Sequence, residues 1–130
     1  MASYAAQKPD VEAGCRAYRA GNHQRARQIF EAAADLGRPE GLHHLALLYW
    51  RGEGGVERSP THAAALFHMA ADAGYGPSLF NLGVLHARGE GAPNDEEAAF
   101  RYFERAATGG FLDAMFQLGQ AYRKGQGVAA

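Results

Sequence analysis

The sequence has a single cysteine, Cys15, in 130 residues, so the chain cannot form an internal disulfide. It also has almost no net charge, because 13 Lys and Arg residues oppose 14 Asp and Glu residues. This balance gives no general attraction to polyanions, and we expect no nucleic-acid binding. No run of about 18 apolar residues occurs, and the stretch 1–10 lacks a basic segment followed by an apolar one. We therefore expect neither a membrane span nor a signal peptide, and the cytoplasm is the expected compartment.

An internal repeat is the main feature that is present. The segment LHHLALLYWRGEG from Leu42 returns as LFNLGVLHARGEG from Leu79 and as MFQLGQAYRKGQG from Met115, at offsets of 37 and 36 residues. The same offsets relate Phe30, Phe67 and Phe103, and also Gly37, Gly74 and Gly110. A fixed period of this length is typical of a solenoid built from short structural units.

Apolar residues at spacings of three and four predict helices and no strands. The helices are expected at residues 10–20, 23–36, 40–51, 60–73, 77–88, 94–108 and 113–124. Asn22, Ser59 before Pro60, and Asn94 with Glu97 are the predicted amino-terminal caps. The sequence thus predicts an all-α, right-handed α-solenoid of antiparallel helix pairs. Its expected divisions are a tail at 1–9, pairs at 10–38, 39–75 and 76–111, and an incomplete unit with only its first helix at 112–130.

Each repeated segment ends in a Gly-x-Gly motif, which could hold a phosphate or stop a helix. Phosphate binds at the positive amino-terminal end of a helix, whereas these glycines follow a carboxy-terminal end. The motif therefore indicates a helix stop, with Arg51, Arg88 and Lys124 placed to complement the terminal carbonyls. Gly83 and Gly119 lie inside helices, where glycine destabilises by about 1 kcal/mol relative to alanine, and they predict close helix contacts.

These residues carry a resemblance to a known family. The shared pattern has Leu-Gly three residues before Tyr or His, then Gly-x-Gly, then Ala four residues before Phe, and finally Ala-Ala and Gly. This pattern is similar to that of Sel1-like repeats, which are relatives of tetratricopeptide repeats. The first unit is more similar to a tetratricopeptide repeat, because only five positions separate Gly21 from Ala26. The pattern departs from the family at Ala46, where the other units have glycine, and at His86, where they have tyrosine.

In a helix-pair solenoid the first helix of each pair is expected to line a concave surface. The resemblance implies that peptides are held there, through aromatic side chains beside a basic row. The predicted groove residues are His43, His44, Leu47, Trp50, Arg51, Phe80, Asn81, Val84, Arg88, Phe116, Gln117, Gln120, Arg123 and Lys124. The chain is thus expected to be a protein-binding adaptor for segments with apolar anchors and acidic or carboxylate groups. In the alternative interpretation the cations only complement helix ends and neighbouring units cover the aromatics.

Two other functions remain open at this stage. The last helix lacks a partner unless residues 128–130 fold back, another chain docks or the natural protein continues, so the domain could act in oligomerisation through Leu118 and Tyr122. An enzyme depending on a metal or a thiol is a remote alternative. The six histidines fall in unrelated positions, and no base is evident near Cys15, so we expect no catalytic residue, metal or cofactor.

Overall fold

The computed structural model describes residues 10–125 of the chain, which contain seven α-helices and no strand. The all-α prediction is confirmed. The predicted tail at 1–9, the glycine at 127 and the segment 128–130 lie outside the described residues. The helices are α1 (Val11–Arg19), α2 (His23–Asp35), α3 (Pro39–Arg51), α4 (Pro60–Asp72), α5 (Gly76–Arg88), α6 (Glu96–Thr108) and α7 (Leu112–Lys124).

The helix starts follow the predicted caps with one exception. The side chain of Asn22 accepts the Arg25 N–H, and that of Ser59 accepts the His62 N–H. The prediction of Asn94 as a cap is wrong, because Asp95 caps α6 and accepts the Ala98 N–H at 3.1 Å. A carboxylate is the stronger acceptor at the positive end of a helix, and this start places both glutamates of the segment in the first turn.

Each helix packs chiefly against the helices that precede and follow it along the chain. The helices form the pairs α1–α2, α3–α4 and α5–α6, and α7 stands as a first helix after α6. We call α1, α3, α5 and α7 the first helices and α2, α4 and α6 the second helices. The architecture is the predicted α-solenoid.

An aromatic ring from each second helix packs against the first helix of its pair. Phe30, Phe67 and Phe103 are buried, with 2%, 0% and 7% of their surfaces exposed. A Cβ atom added to Gly83 would lie 2.5 Å from the Phe103 ring, which confirms the close helix contact predicted there. At Gly119 the contact is not found, since an added Cβ would meet no described atom within 4 Å.

The predicted core leucines are only partly confirmed. Leu45 and Leu82 are buried, with exposed fractions of 7% and 0%. Leu118, the equivalent residue of α7, is half-buried. The difference has a simple cause, because no second helix follows α7 among residues 10–125.

The glycine pairs stop helices as predicted, and they also bring neighbouring pairs together. Gly52 and Gly89 end α3 and α5 in the left-handed conformation, with φ of 71° and 67°. In the first two motifs the second glycine lies against the start of the preceding second helix. A Cβ atom added to Gly91 would strike the backbone of Pro60, and one added to Gly54 would lie against the carbonyl of His23. A side chain at either position would push the loop off the preceding pair, so the repeated motif is a structural joint.

Candidate functional site

Two clefts open between successive first helices. The amino-terminal cleft lies between α1 and α3, above α2, and has a volume of about 190 Å³. Its lining residues are Cys15, Tyr18, Arg19, Phe30, His44, Leu47, Leu48 and Arg51. The carboxy-terminal cleft lies between α5 and α7, above α6, and has a volume of about 410 Å³. Its lining residues are Val84, Ala87, Arg88, Glu96, Ala99, Phe100, Phe103, Phe116, Gln117, Gln120 and Lys124.

The two clefts occupy equivalent places in the repeat. Gly14 in α1 and Gly83 in α5 both lie against the phenylalanine of the following helix, so they share one register position. The next lining residues in α1 are Cys15, Tyr18 and Arg19, and at the same spacing in α5 they are Val84, Ala87 and Arg88. Each cleft therefore has a phenylalanine floor and one exposed cation from each of its two first helices.

The equivalent position in the middle of the chain, between α3 and α5, is occupied by Trp50. The indole packs edge-on against Phe67 with ring centroids 5.9 Å apart. Its Nε1–H donates to the Glu90 carboxylate at 3.0 Å. Trp50 therefore stands between the two clefts as part of the packed structure.

The glutamate of each RGEG motif binds an aromatic side chain of the preceding pair. Glu90 accepts from Trp50, and Glu53 accepts the Tyr18 hydroxyl at 2.8 Å. Glu90 also accepts from Arg58 at 3.1 Å and lies 3.9 Å from Arg88. In the third pair Ala87 stands where Tyr18 and Trp50 stand in the first two. The alanine leaves more space at this position than either ring does.

Nine of the fourteen predicted groove residues line one of the clefts. They are His44, Leu47 and Arg51 in the amino-terminal cleft, and Val84, Arg88, Phe116, Gln117, Gln120 and Lys124 in the carboxy-terminal cleft. The other five, which line neither of these clefts, are His43, Trp50, Phe80, Asn81 and Arg123.

The prediction of His43 as a groove residue is wrong, because the residue is buried with only 7% of its surface exposed. Its Nδ1 is 2.8 Å from the Ser78 hydroxyl, and its ring packs against Phe67 and Tyr75. Burial lowers the pKa of His43 to about 3, so the imidazole is neutral at physiological pH. It joins α3 to α5 inside the core.

Two of the three predicted aromatic platforms are largely covered. Trp50 and Phe80 are both half-buried. The centroid of the Phe80 ring lies 5.5 Å from that of Phe103 and 5.4 Å from that of Phe111. Phe116 is 61% exposed and lines the carboxy-terminal cleft. Neighbouring helices therefore cover Trp50 and Phe80, as in the alternative interpretation, whereas Phe116 stays exposed at the cleft.

Several lining residues were not among the predicted ones. They are Cys15, Tyr18, Arg19, Phe30 and Leu48 in the amino-terminal cleft, and Ala87, Glu96, Ala99, Phe100 and Phe103 in the carboxy-terminal cleft. The repeated RGEG motif does not point to α1, which lacks it. The spacing from Gly14 to Cys15, Tyr18 and Arg19 is the signal that indicates these α1 residues. It matches the spacing from Gly83 to the equivalent residues of α5.

Cys15 has a histidine neighbour that its sequence context does not reveal. Its Sγ lies 3.6 Å from Nε2 of His44, which is 29 residues away on α3. Burial is the largest cause that raises the pKa of the Cys15 thiol, and burial also lowers the pKa of His44. The pair is therefore a neutral thiol beside a neutral imidazole, which is poorly suited to nucleophilic attack. Among residues 10–125, no group of three or more His, Cys, Asp and Glu side chains is placed to hold a metal ion.

The repeated clefts and the stacked helix pairs define a class of protein, the α-solenoids built from helix-pair repeats. The model of the Sel1 repeat matches residues 16–37, 39–75, 76–111 and 112–130. The chain belongs to the Sel1 repeat family. Sel1 repeats generally mediate protein–protein interactions, and their solenoid is typically a non-enzymatic scaffold.

Solved structures show the same fold. A Sel1 repeat protein from Oxalobacter formigenes superposes with a TM-score of 0.86 at 23% identity, over 93% of this chain and 48% of that one. The protective antigen c5321 of uropathogenic Escherichia coli superposes with a TM-score of 0.83 at 25% identity, over 91% of this chain and 26% of that one. Cysteine rich protein B of Helicobacter pylori superposes with a TM-score of 0.68 at 26% identity, over 73% of this chain and 71% of that one. The chain thus spans about half of the first of these proteins and a quarter of the second.

Among curated proteins, no match to this chain was found. No helix within residues 10–125 combines the length and the apolar character needed to cross a membrane.

Proposed function

We propose that the chain is an interaction module that binds an extended acidic peptide along its concave face, with one anchor in each of the two clefts. The observation that carries this proposal is the recurrence of one arrangement, a phenylalanine floor between two exposed cations, at equivalent positions of the repeat. A site that is built twice from residues far apart in sequence suits a ligand that is itself extended.

The chemistry of the lining defines the ligand class. The amino-terminal cleft has Arg19 and Arg51 at its rim, and the carboxy-terminal cleft has Arg88 and Lys124. Guanidinium groups bind carboxylates through charge-assisted, often bidentate hydrogen bonds. An apolar side chain of the peptide would enter each cleft, and neighbouring carboxylates would pair with the cations.

The larger cleft should contribute more of the binding energy. It has the exposed Phe116 ring and the amide side chains of Gln117 and Gln120, which can bind a peptide backbone. Glu96 also lines this cleft and disfavours a carboxylate next to it, so the acidic groups belong at the Arg88 and Lys124 side.

The proposal is tested by selecting binders from a random twelve-residue peptide library displayed on phage. The selected peptides should be rich in Asp and Glu around an apolar residue. Their affinity should fall at least about tenfold for Arg88→Glu, because one attraction becomes a repulsion, and should weaken with added salt.

Arg25→Glu is the matched control, since Arg25 is an exposed residue of α2 that lines neither cleft. It makes the same change in net charge and should leave the affinity within about twofold. Equal losses for Arg25→Glu and Arg88→Glu would reduce the effect to net charge, and selected peptides without acidic residues would refute the proposed ligand class.

A further inference from the structure

The third helix pair has no ring at a position where the first two pairs each have one. Tyr18, Trp50 and Ala87 share this position, directly before an arginine of their first helix. The first two residues supply aromatic rings to the concave face, whereas Ala87 is exposed and supplies only a methyl group. Ala87 lines the carboxy-terminal cleft, so the difference lies inside the larger of the two proposed peptide sites.

Trp50 shows how a ring fits at this position of the repeat. Its indole packs edge-on against Phe67 with ring centroids 5.9 Å apart, and Phe67 has none of its surface exposed. Phe103 is the equivalent residue of the third pair, and it forms the floor of the carboxy-terminal cleft with 7% of its surface exposed. An incoming ring can therefore approach Phe103 where the chain's own indole covers Phe67.

The walls of the carboxy-terminal cleft suit an aromatic side chain. The apolar residues that line it near the floor are Val84 and Ala87 of α5, Phe100 and Phe103 of α6, and Phe116 of α7. Aromatic rings attract one another in edge-on or offset arrangements at centroid separations of about 4.5–7 Å, beyond the effect of burial alone. The three helices that form the cleft are all described, so an aromatic anchor needs no further helix to complete its site.

The sizes of the two clefts point the same way. The carboxy-terminal cleft, at about 410 Å³, lies within the range of about 300–1,000 Å³ that is usual for small-ligand pockets. The amino-terminal cleft, at about 190 Å³, is smaller and already contains the Tyr18 ring. A bulky anchor therefore belongs in the carboxy-terminal cleft.

The charges at the rim fit acidic residues beside the anchor. Arg88 directly follows Ala87, and its side chain is 62% exposed with only a long contact of 3.9 Å to Glu90. Lys124 lines the cleft from α7. A ring placed beside Ala87 brings the neighbouring residues of its peptide to these two cations.

We infer that the carboxy-terminal cleft selects an aromatic anchor, a Trp, Tyr or Phe side chain of the bound peptide that takes the place beside Ala87 that Trp50 fills in the second pair. The inference rests on the proposed function, because it names the anchor of the peptide that the concave face is proposed to bind. Ala87 is then the residue that sets the specificity of this cleft. The amino-terminal cleft, which has its own ring, takes a smaller apolar side chain.

The probes are two uncharged compounds, N-acetyltryptophanamide and N-acetylleucinamide, which test the anchor apart from the acidic groups. Each is titrated to millimolar concentration into the ¹⁵N-labelled protein and followed by amide chemical shifts. N-Acetyltryptophanamide should cause saturable shifts centred on the carboxy-terminal cleft. It should bind at least about fivefold more tightly than N-acetylleucinamide, because only the indole can make aromatic contacts with the phenylalanines.

Ala87→Trp supplies the ring from the chain itself. The substitution is at an exposed helical position, so the protein should fold, and circular dichroism verifies this. It should abolish the saturable shifts with N-acetyltryptophanamide and weaken the library-selected acidic peptides at least about tenfold, because the anchor site is filled. Ala87→Phe makes the same test with a smaller ring if the tryptophan variant does not fold.

Ala65→Trp is the matched control, since Ala65 is an exposed residue of α4 that lines neither cleft. It adds the same side chain to the surface and should leave both affinities within about twofold. Equal effects of Ala65→Trp and Ala87→Trp would overturn the inference, because the added indole would then act without filling the cleft.

Failure of this inference can be distinguished from failure of the proposed function. If the selected peptides are acidic and weakened by Arg88→Glu, but the two amides bind equally or Ala87→Trp has no effect, the aromatic anchor is wrong and the acidic ligand class stands. If N-acetyltryptophanamide binds in the cleft and Ala87→Trp blocks it, while the selected peptides lack acidic residues, the anchor site stands and the ligand class is wrong. Shifts centred on the amino-terminal cleft would also overturn the inference.

Discussion

The indole N–H of Trp50 donates to the Glu90 carboxylate at 3.0 Å. This hydrogen bond joins the second helix pair to the loop that follows α5. The partners are 40 residues apart, slightly more than one repeat. Tyr18 and Glu53 make the same link one repeat earlier. The glutamate of the repeated motif is thus a fixed acceptor for the aromatic residue of the preceding pair.

Trp50→Ala is expected to reduce the free energy of unfolding by about 2–3 kcal/mol, because it removes a half-buried ring packed on Phe67. Trp50→Phe keeps a six-membered ring, so it loses the hydrogen bond and less of the packing, and a smaller loss of about 0.5–1.5 kcal/mol is expected. Urea unfolding followed by circular dichroism measures both. An unchanged midpoint for Trp50→Ala would mean that the indole lies free in the groove as an anchor for ligands.

Gly83→Ala and Gly119→Ala should change stability in opposite directions. At Gly83 the new methyl group would strike the buried Phe103 ring, and about 1–3 kcal/mol should be lost. At Gly119 it would meet no described atom, and the higher helix propensity of alanine should add about 0.5–1 kcal/mol. Urea unfolding of the two variants provides the comparison. Destabilisation by both would show that the space beside Gly119 is already filled.

His43 should make the fold less stable as the pH falls from about 6.5 towards 3. The unfolded chain protonates this imidazole near its ordinary pKa of 6.5, whereas burial keeps it neutral in the folded state down to about 3. Between these values the unfolded state binds more protons, so the contribution is complete above 6.5 and is lost below it. Between pH 7 and pH 5 the loss from this residue is on the order of 2 kcal/mol.

The control for this effect is the double variant His43→Leu with Ser78→Ala, which removes both hydrogen-bonding partners together. Its free energy of unfolding, measured in urea at pH 7 and pH 5, should change less with pH than that of the wild type. The same pH dependence in both proteins would assign the effect to other groups.

Cys15 should react slowly with iodoacetamide at pH 7.5 in the folded protein. Burial raises the pKa of its thiol, so the reactive thiolate is scarcer than in the unfolded chain. Mass spectrometry should show a rate several-fold below that in urea, by the same dependence on thiolate fraction. Alkylation faster than that of free cysteine would instead identify a thiolate activated by His44 and would favour thiol chemistry.

Much of the fold could be predicted because the repeat determines it locally. The caps at Asn22 and Ser59 and the stops at Gly52 and Gly89 depend on residues within one turn of each helix end, and all four are found as predicted. The wrong cap at Asn94 also arose locally, because two adjacent residues could serve and the negative charge of Asp95 favours it at the positive end of the helix.

The candidate site was harder to predict, because helical periodicity does not say how deep a position lies. His43 and His44 are adjacent, and only the contacts made by the next pair show that His43 is covered by Ser78 and Tyr75. Trp50 looks like an exposed anchor until Glu90, from the following repeat, is seen to bind it. The approach of His44 to Cys15 is likewise a contact between pairs, which sequence spacing cannot show.

The packing of each helix mainly against its sequence neighbours also bears on how the chain folds. Contacts that are local in sequence require little loop closure, and helical proteins of this kind fold in about microseconds to milliseconds. Each of the three pairs carries its own ring and its own capped second helix, so each can serve as a nucleus from which structure spreads to both sides. Folding is then expected to start at different pairs in different molecules, and a substitution in one pair should slow only the routes that begin there.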